Sequence, residues 1–332
     1  MDDSPAYVFQ SFAAFQRTFA LKAAIEIDLF TAVGAGAATP AEIARRCSAS
    51  ERGVRILADF LVVAGFLTKA DGRYGLAPVA ANFLDRASPA CLASAIGFVA
   101  SPPIMDGFGA LTATVRSGRN AAGDHALEPE DPMWVEFARS MAPIARMTAE
   151  ALANQLDAEG RGYGKVLDVA AGHGLFGIAL ARHDPAASIV ALDWPNVLAV
   201  AAENARAAGV ADRFRTLPGS ALEVDLGGGY DTVLLTNFLH HFDVAGCESI
   251  LRKVHRALAP GGRAVTVEFV PDESRVTPPD AAGFALVMLA MTPAGDAYTF
   301  AEYERMFRNA GFSGSELHQL LPSPQQVIVS RR

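Results

Sequence analysis

Residues 165–177 read KVLDVAAGHGLFG. Lys165 to Val169 is a short apolar run with an acid near its end, the pattern of a buried strand. Small residues dominate Ala170 to Gly174, and a helical pattern starts at Leu175. Strand, glycine-rich turn and helix, in that order, confine the chain to an open parallel sheet that binds ligands at the carboxyl ends of its strands. Gly172 and Gly174 let the backbone approach a ligand closely. A second acid, Asp193, closes the next apolar run, Ala187 to Leu192, about where a ribose-binding acid is expected. The pattern predicts a nucleoside-containing ligand. Gly172, Gly174 and Gly177 can be fitted to the dinucleotide spacing G-x-G-x-x-G. Only one βα series follows residue 165, however, and dinucleotide folds use two halves. Asp168 to Gly174 also has the form D-x-A-x-G-x-G. An acid at that strand end accepts hydrogen bonds from a cationic or amino group and would repel a diphosphate.

The chain has 332 residues, room for about two domains and a sizeable core. Its hydrophobic content of 51% against 19% charged residues excludes a disordered polymer. A net charge of −8 argues against broad nucleic-acid binding. Three widely spaced cysteines, Cys47, Cys91 and Cys247, imply a reducing compartment rather than a disulfide framework. The acidic, polar start MDDSPAYVFQ is unlike a secretory signal. Runs such as Ala95–Ala100 and Phe284–Met291 are far shorter than the roughly 20 residues that span a bilayer. A cytoplasmic protein is expected, without membrane or nucleic-acid partners.

Three regions are predicted: 1–87, 88–160 and 161–332. In the first, apolar positions at helical spacing (Phe12, Phe15, Phe19, Ile25, Leu29) precede a capping box, Thr39-Pro40-Ala41-Glu42. A second box, Ser48-Ala49-Ser50-Glu51, opens a helix that runs to about Ala64, with Gly65 ending it. Phe66–Thr68 and Tyr74–Leu76, around Ala70-Asp71-Gly72, read as a hairpin. Helix, helix, hairpin is a winged-helix pattern. The second region is mostly helical, with a polar connector from Asp124 to Asp131 and one long helix from Trp134 to Leu156. The third alternates strands (near 165–169, 188–192, 213–216, 231–236 and 263–269) with helices, then has a terminal hairpin at 316–320 and 325–330. This is an α/β fold with a mainly parallel, Rossmann-like sheet, one antiparallel strand and a mostly helical N-terminal domain.

At this point the chain resembles a known family. VLDVAAGHG, ALDWPNV, GYDTVLLTNFLHHFD, ALAPGGRAVTVEF and MLAMTPAG…YTFAEYERMFRNAGF are together similar to S-adenosylmethionine-dependent O-methyltransferases of the plant-caffeate and antibiotic-tailoring type. The resemblance extends to the N-terminal winged helix, which in that family is a dimerisation domain. It implies S-adenosyl-L-methionine as cofactor, S-adenosyl-L-homocysteine as product, a small aromatic substrate and a homodimer. The family's roles fall on the following residues. Asp168, Gly172 and Gly174 surround the methionine part of the cofactor, and His173 is either a contact to its carboxylate or only a loop residue. Asp193 binds the ribose hydroxyls, Trp194 lies against adenine, and Gly219, Ser220 and Ala221 meet the adenine amino group. Thr236 and Asn237 complete the cofactor set. Ser220 stands where the family usually has an acid, and Ala170 replaces its first loop glycine, so positive φ is harder to reach there.

His240 falls on the family's general base and Glu268 on the acid that orients it. A sulfonium methyl is already electrophilic, so the enzyme must align the acceptor and remove its proton. An imidazole with a pKa near 6.5 suits that task, and a carboxylate partner fixes the tautomer that leaves the reactive nitrogen free. His241 stands where the family often has an acid. A second histidine-flanking acid is replaced by Ala297, with Asp296 one residue displaced. Met105, Met141 and Met288 match methionines that sandwich an aromatic substrate, with Phe137, His241 and Thr292 beside them and Phe108 and Phe284 nearby. The alternative for each methionine is ordinary core packing. No metal site is expected, since adjacent His240 and His241 lack a carboxylate cluster.

The resemblance thus implies methyl transfer to an aromatic hydroxyl. Transfer to carbon, nitrogen or sulfur on the same scaffold is the alternative. A cofactor-binding homologue without transfer, or a DNA-binding regulator, is the rival from another class. For the regulator, Arg45, Arg46, Arg52 and Arg55 would supply the charge. Against it stand Val54, Ile56, Leu57, Phe60, Leu61 and Val62, an apolar surface better suited to a partner chain.

Overall fold

The computed structural model describes residues 4–120, 130–158 and 160–332. The predicted connector Asp124–Asp131 lies outside them except for its last two residues, of which Asp131 caps the helix Pro132–Ser140 by accepting from Met133 N at 2.7 Å. The chain divides into two compact units, one running to Ser101 and one spanning Pro102–Arg332.

Among its described residues, the first unit holds five helices, a hairpin and two short helices. The Thr39 capping box forms as expected: Thr39 Oγ1 accepts from Glu42 N, and Glu42 accepts from Thr39 N. The second predicted box does not form. The helix Glu51–Val63 starts two residues later than that box requires: Ser48 sits at φ +51° outside it, Glu51 is its first residue rather than its third, and Ser50 is the cap, accepting from Gly53 N at 3.1 Å. Strands β1 (Leu67–Ala70) and β2 (Arg73–Leu76) pair antiparallel across Asp71-Gly72. Much of the apolar character of the helix Glu51–Val63 is consumed inside this unit, where Val54, Ala58 and Leu61 pack with Leu29, Phe30 and Ile43. Two of the arginines weighed for DNA contact are occupied. Arg46 donates to the carbonyls of Ala32 and Ala35, and Arg55 pairs with Asp59.

The second unit opens with helices and then builds the sheet. The predicted helix from Trp134 to Leu156 is two helices, Pro132–Ser140 and Ala142–Asp157, broken at Met141. Pro143 explains the break: it has no N–H, and its ring would collide with the carbonyl four residues back. The sheet contains β3 (Lys165–Val169), β4 (Ser188–Asp193), β5 (Phe214–Pro218), β6 (Tyr230–Thr236), β7 (Leu258–Glu268), β8 (Gly314–Gln319) and β9 (Gln326–Arg331). Their order is β5-β4-β3-β6-β7-β9-β8. All neighbours from β5 to β7 pair parallel, and β9 runs antiparallel between β7 and β8. Both sheet faces are covered, as continuous apolar strands require. Val166, Ile189 and Val265 meet Leu152, Leu156 and Leu180 on one side. Leu167, Val233 and Ala264 meet Leu251, Tyr303 and Phe307 on the other. Among the described residues, no helix is long and apolar enough to cross a membrane.

The chain runs from β3 to β4 and β5 on one side and returns to β6 on the other, so the strand order reverses at β3. That reversal opens a crevice at the carboxyl ends of β3 and its neighbours. The turn after β3 needs its glycine at position 174: φ is +72°, and a Cβ there would lie 2.9 Å from the Ala201 Cβ and 3.1 Å from Phe214. Ala170 nonetheless adopts φ +52° without being glycine. A left-handed alanine costs about 1–2 kcal/mol, partly offset by the lower entropy of its unfolded chain. Ala170→Gly is therefore expected to raise the unfolding free energy by about 0.5–1 kcal/mol, measured by urea denaturation. A loss of stability would show that the surrounding contacts, not the backbone, set the conformation.

Candidate active site

The carboxyl ends of β3, β4, β6 and β7 carry Asp168, Asp193, Thr236 with Asn237, and Glu268. Asp168 is completely buried. Its Oδ2 accepts from Gly177 N, in the helix Leu175–His183, at 3.1 Å, and its Oδ1 is buried with no partner. Burial, with a smaller contribution from the Asp193 charge, pushes its pKa up to about 7 against the pull of the Gly177 hydrogen bond. Asp193 is partly exposed. It accepts from Gly172 N and Trp194 N, both at 2.7 Å, and burial raises its pKa to about 6. Each carboxylate oxygen has two lone pairs, so Asp193 keeps acceptor capacity beyond these two bonds. The loop after β4 thus locks the loop after β3, and Ala171 N adds a bond to Leu192 O at 3.0 Å.

His173 is buried. Its Nδ1 accepts from Leu175 N at 3.2 Å, and its ring lies against Phe176 at 6.0 Å. Its side chain thereby caps the start of the following helix. Burial lowers its pKa to about 4, so the ring is neutral. Gly219 N bonds to Asp193 O at 3.0 Å, which places Gly219, Ser220 and Ala221 directly beside the β4 acid. Ser220 Oγ accepts from Leu222 N. Trp194 is half-buried and packs with Val197 and Val200. Asn237 sits at φ +54° and accepts from the Gln325 amide, while its N–H reaches Val267 O.

Glu268 is completely buried at the end of β7. Its Oε1 accepts from Phe238 N and Leu239 N, each at 3.0 Å, and its Oε2 lies 2.6 Å from His240 Nδ1. With two amides already on the carboxylate, the proton of the short contact belongs on Nδ1. Nε2 is then the basic nitrogen of His240. The ring meets Phe284 edge-on at 4.7 Å and His241 at 4.4 Å, and Phe284 stacks on Phe269 at 4.3 Å. His241 is held edge-on against Trp134 at 5.6 Å, and burial drives its pKa well below 6.5. This brings Trp134, and through it Phe137 at 5.9 Å, to the same end of the sheet.

Asp296 does not flank the histidine ring through its carboxylate. Its Oδ2 lies 3.6 Å from Arg275 Nη1, while its backbone N–H holds the His240 carbonyl at 3.1 Å. Thr292 is buried in the same turn, donating to Met288 O and accepting from Gly295 N. Gly295 was not legible as a site residue. A Cβ there would collide with the His240 carbonyl and stand 2.6 Å from Thr292 Oγ1, so only glycine lets this turn approach His240. Met288 is buried, and Met105 and Met141 are half-buried. Met105 belongs to the helix Pro102–Gly109, which packs against the helix Pro279–Met291 that carries Met288. Among the described residues, no group of three histidine, cysteine or acidic side chains is placed to hold a metal.

Residues 108–313 match the O-methyltransferase domain family, and residues 9–86 match the O-methyltransferase dimerisation domain. A Streptomyces sahachiroi protein, 3-hydroxy-5-methyl-1-naphthoate 3-O-methyltransferase, is 33% identical over 303 residues, covering 90% of this chain and 86% of its own. A crystal structure from Nostoc punctiforme, solved as a candidate O-methyltransferase, superposes with a TM-score of 0.95 at 51% identity, over all of both chains. The structure of PigF with SAH superposes with a TM-score of 0.87 at 25% identity, over 99% of this chain and 100% of the other.

The buried charge of Asp168 has a measurable cost. With a folded pKa of about 7 and an unfolded value near 3.9, the group binds its proton more tightly when folded. Its contribution to stability is therefore unpenalised at low pH, falls as pH rises from about 4 to 7, and stays low above. Asp168→Asn keeps the shape and removes the charge. It is expected to raise the unfolding free energy at pH 8 by up to about 4 kcal/mol and to change it little at pH 4, read by urea denaturation. An equal effect at both pH values would contradict this account.

Proposed function

The chain belongs to the O-methyltransferase family, and on that premise we propose that it methylates a hydroxyl on a small aromatic or heteroaromatic molecule, with His240 as general base oriented by Glu268. The observation that carries this reading is the 2.6 Å contact between His240 Nδ1 and Glu268 Oε2 at the crevice end of the sheet. S-adenosylmethionine is the methyl donor, and it supplies a methyl group already activated on a sulfonium. The residues present fit it. Asp168 has a buried oxygen that lacks a donor, which suits a cationic ligand, and Asp193 has lone pairs left for a diol.

We assign Asp168, Gly172 and Gly174 to the methionine portion, Asp193 to the ribose, and Trp194 with Gly219, Ser220 and Ala221 to adenine. Thr236 and Asn237 border the same crevice. His173 is assigned to the turn rather than to the ligand, since its Nδ1 is already bonded to Leu175 N. The acceptor hydroxyl gives its proton to His240 Nε2 as its oxygen takes the methyl group. Glu268, at hydrogen-bond distance, stabilises the imidazolium that forms. Phe284 beside the base, with Trp134 and Phe137 beyond His241, offers flat apolar surface of the kind an aromatic acceptor packs on. Met105, Met141, Met288 and Thr292 belong to the helices and turn around that surface. The naphthoate acceptor named for the Streptomyces relative is of the same chemical type.

On an accepted phenol, His240→Ala is expected to lower kcat by about 10²–10⁴-fold, with the Kd for S-adenosylhomocysteine, measured calorimetrically, unchanged. Glu268→Gln should lie between the two. Undiminished turnover in His240→Ala would remove the base from its role. Mass spectrometry of the product decides between an oxygen and a carbon, nitrogen or sulfur acceptor.

Phe9, Phe12 and Phe15 are 69%, 70% and 60% exposed. They lie within the stretch that matches the dimerisation domain. Three large aromatics on one short stretch are costly to leave in water, and we assign them to a homodimer interface. Sedimentation should give twice the chain mass at micromolar concentration. Combining Phe12→Asp with Phe15→Asp should give the monomer mass. A monomeric wild-type protein would refute the assignment.

A further inference from the structure

The loop Gly219–Leu226 after β5 carries the residues assigned above to adenine. Its first half is tied down by ordinary means. Gly219 N bonds to Asp193 O, and the Ser220 carbonyl accepts from both Glu223 N and Val224 N. The second half turns three carbonyl oxygens, those of Ala221, Leu222 and Val224, toward one point. Carbonyl dipoles repel when their negative ends converge, so that arrangement needs a cation at its centre. The cation is the Lys253 ammonium, with Nζ at 2.8 Å from Ala221 O, 2.8 Å from Leu222 O and 3.0 Å from Val224 O. An ammonium has three donors and no acceptor, and here all three are used on one loop. Burial lowers the Lys253 pKa, and the three charge-assisted bonds compensate only part of that desolvation cost.

Lys253 lies on the helix Val244–Ala257. The same helix braces the base from its first turn, where Cys247 Sγ donates to Leu239 O at 3.1 Å. One rigid element therefore touches both the turn that carries His240 and the loop beside the ribose acid. We propose that Lys253 is a positioning residue that holds the adenosine subsite of the cofactor in its binding conformation. It acts through the carbonyls of Ala221, Leu222 and Val224 and not on the reacting atoms. The inference rests on S-adenosylmethionine being the cofactor.

The test compares wild type, Lys253→Met and Lys253→Arg for calorimetric binding of S-adenosylhomocysteine and of adenosine, and for KM and kcat with S-adenosylmethionine. Lys253→Met is expected to raise both Kd values and the KM for the cofactor by about tenfold or more, with kcat at saturation within about twofold of wild type. Lys253→Arg keeps the charge, but its planar fork cannot meet three converging oxygens, so it should lie between. In Lys253→Ala, added ethylammonium should restore part of the affinity, and tetramethylammonium, which cannot donate, should not. Wild-type affinity in Lys253→Met, or a fall in kcat at unchanged KM, would overturn the proposal. If Lys253→Met does not fold, Lys253→Arg decides: affinity equal to wild type overturns the proposal, and weakened affinity for both ligands supports it. Wild-type protein that fails to bind S-adenosylhomocysteine is a separate result, and it would refute the cofactor and not the role of Lys253.

Discussion

A buried carboxylate must be surrounded by donors or it will not remain ionised. Glu268 meets that condition with the amides of Phe238 and Leu239 and the Nδ1 of His240. These three bonds join the end of β7 to the turn that leaves β6. They fix the direction of the histidine ring, the proton on it, and the start of the segment leading into the helix Val244–Ala257. Around this junction the remaining contacts fall into place. Gly295 packs against the His240 carbonyl, the Asp296 amide bonds to it, and Phe284 closes the ring edge. In the role proposed for it, a histidine held in this way needs no rearrangement of its own at the moment of proton transfer, which is the general advantage of a preorganised site.

The other half of the crevice works by the opposite principle. Asp168 and Asp193 are placed where ionisation is disfavoured, each pushed toward the neutral range by burial. Asp168 retains an oxygen with no partner, and Ala170 beside it is held in a conformation that alanine resists. Such costs are tolerated where the rest of the structure over-determines the loop. The anchors are visible: Gly172 N on Asp193, Ala171 N on Leu192 O, and the close approach of Gly174 to Ala201. The cationic cofactor proposed to lie beside Asp168 would recover part of that cost by favouring the ionised acid. The two halves of the crevice differ because their tasks differ. On the function proposed above, one would stabilise a proton on the protein, and the other a charge on a ligand.

Where sequence reading succeeded, the signal was local. The strand-turn-helix at 165–177, the capping box at Thr39 and the strands of the sheet all depend on neighbours within a few residues. The errors were also local, and each has a physical cause. Pro143 outweighed the apolar periodicity that read as one helix from Trp134 to Leu156. The helix after the second capping box starts at Glu51 with Ser50 as its cap, so Ser48 and Glu51 do not stand at the positions the box needs. The candidates that proximity in the chain could not resolve were those that depended on distant partners. Asp296 stands next to the lost acid in sequence, yet its carboxylate is directed to Arg275. Gly295 lies within a quoted motif and Lys253 outside any, but neither has a role that the sequence marks, because those roles lie in a close approach and in three carbonyls supplied by other segments.

The sequence by itself determined the fold class, the order of strands and helices, and the residue types available at the strand ends. These follow from periodicity, turn chemistry and capping, which act over short stretches of chain. Only the tertiary structure decided which of those residues meet. The pairing of His240 with Glu268 spans 28 residues, and that of Lys253 with Ala221 spans 32. Both depend on the order in which parallel strands are laid side by side. The protonation of Asp168 is likewise a tertiary property, since burial rather than any neighbour in sequence sets it.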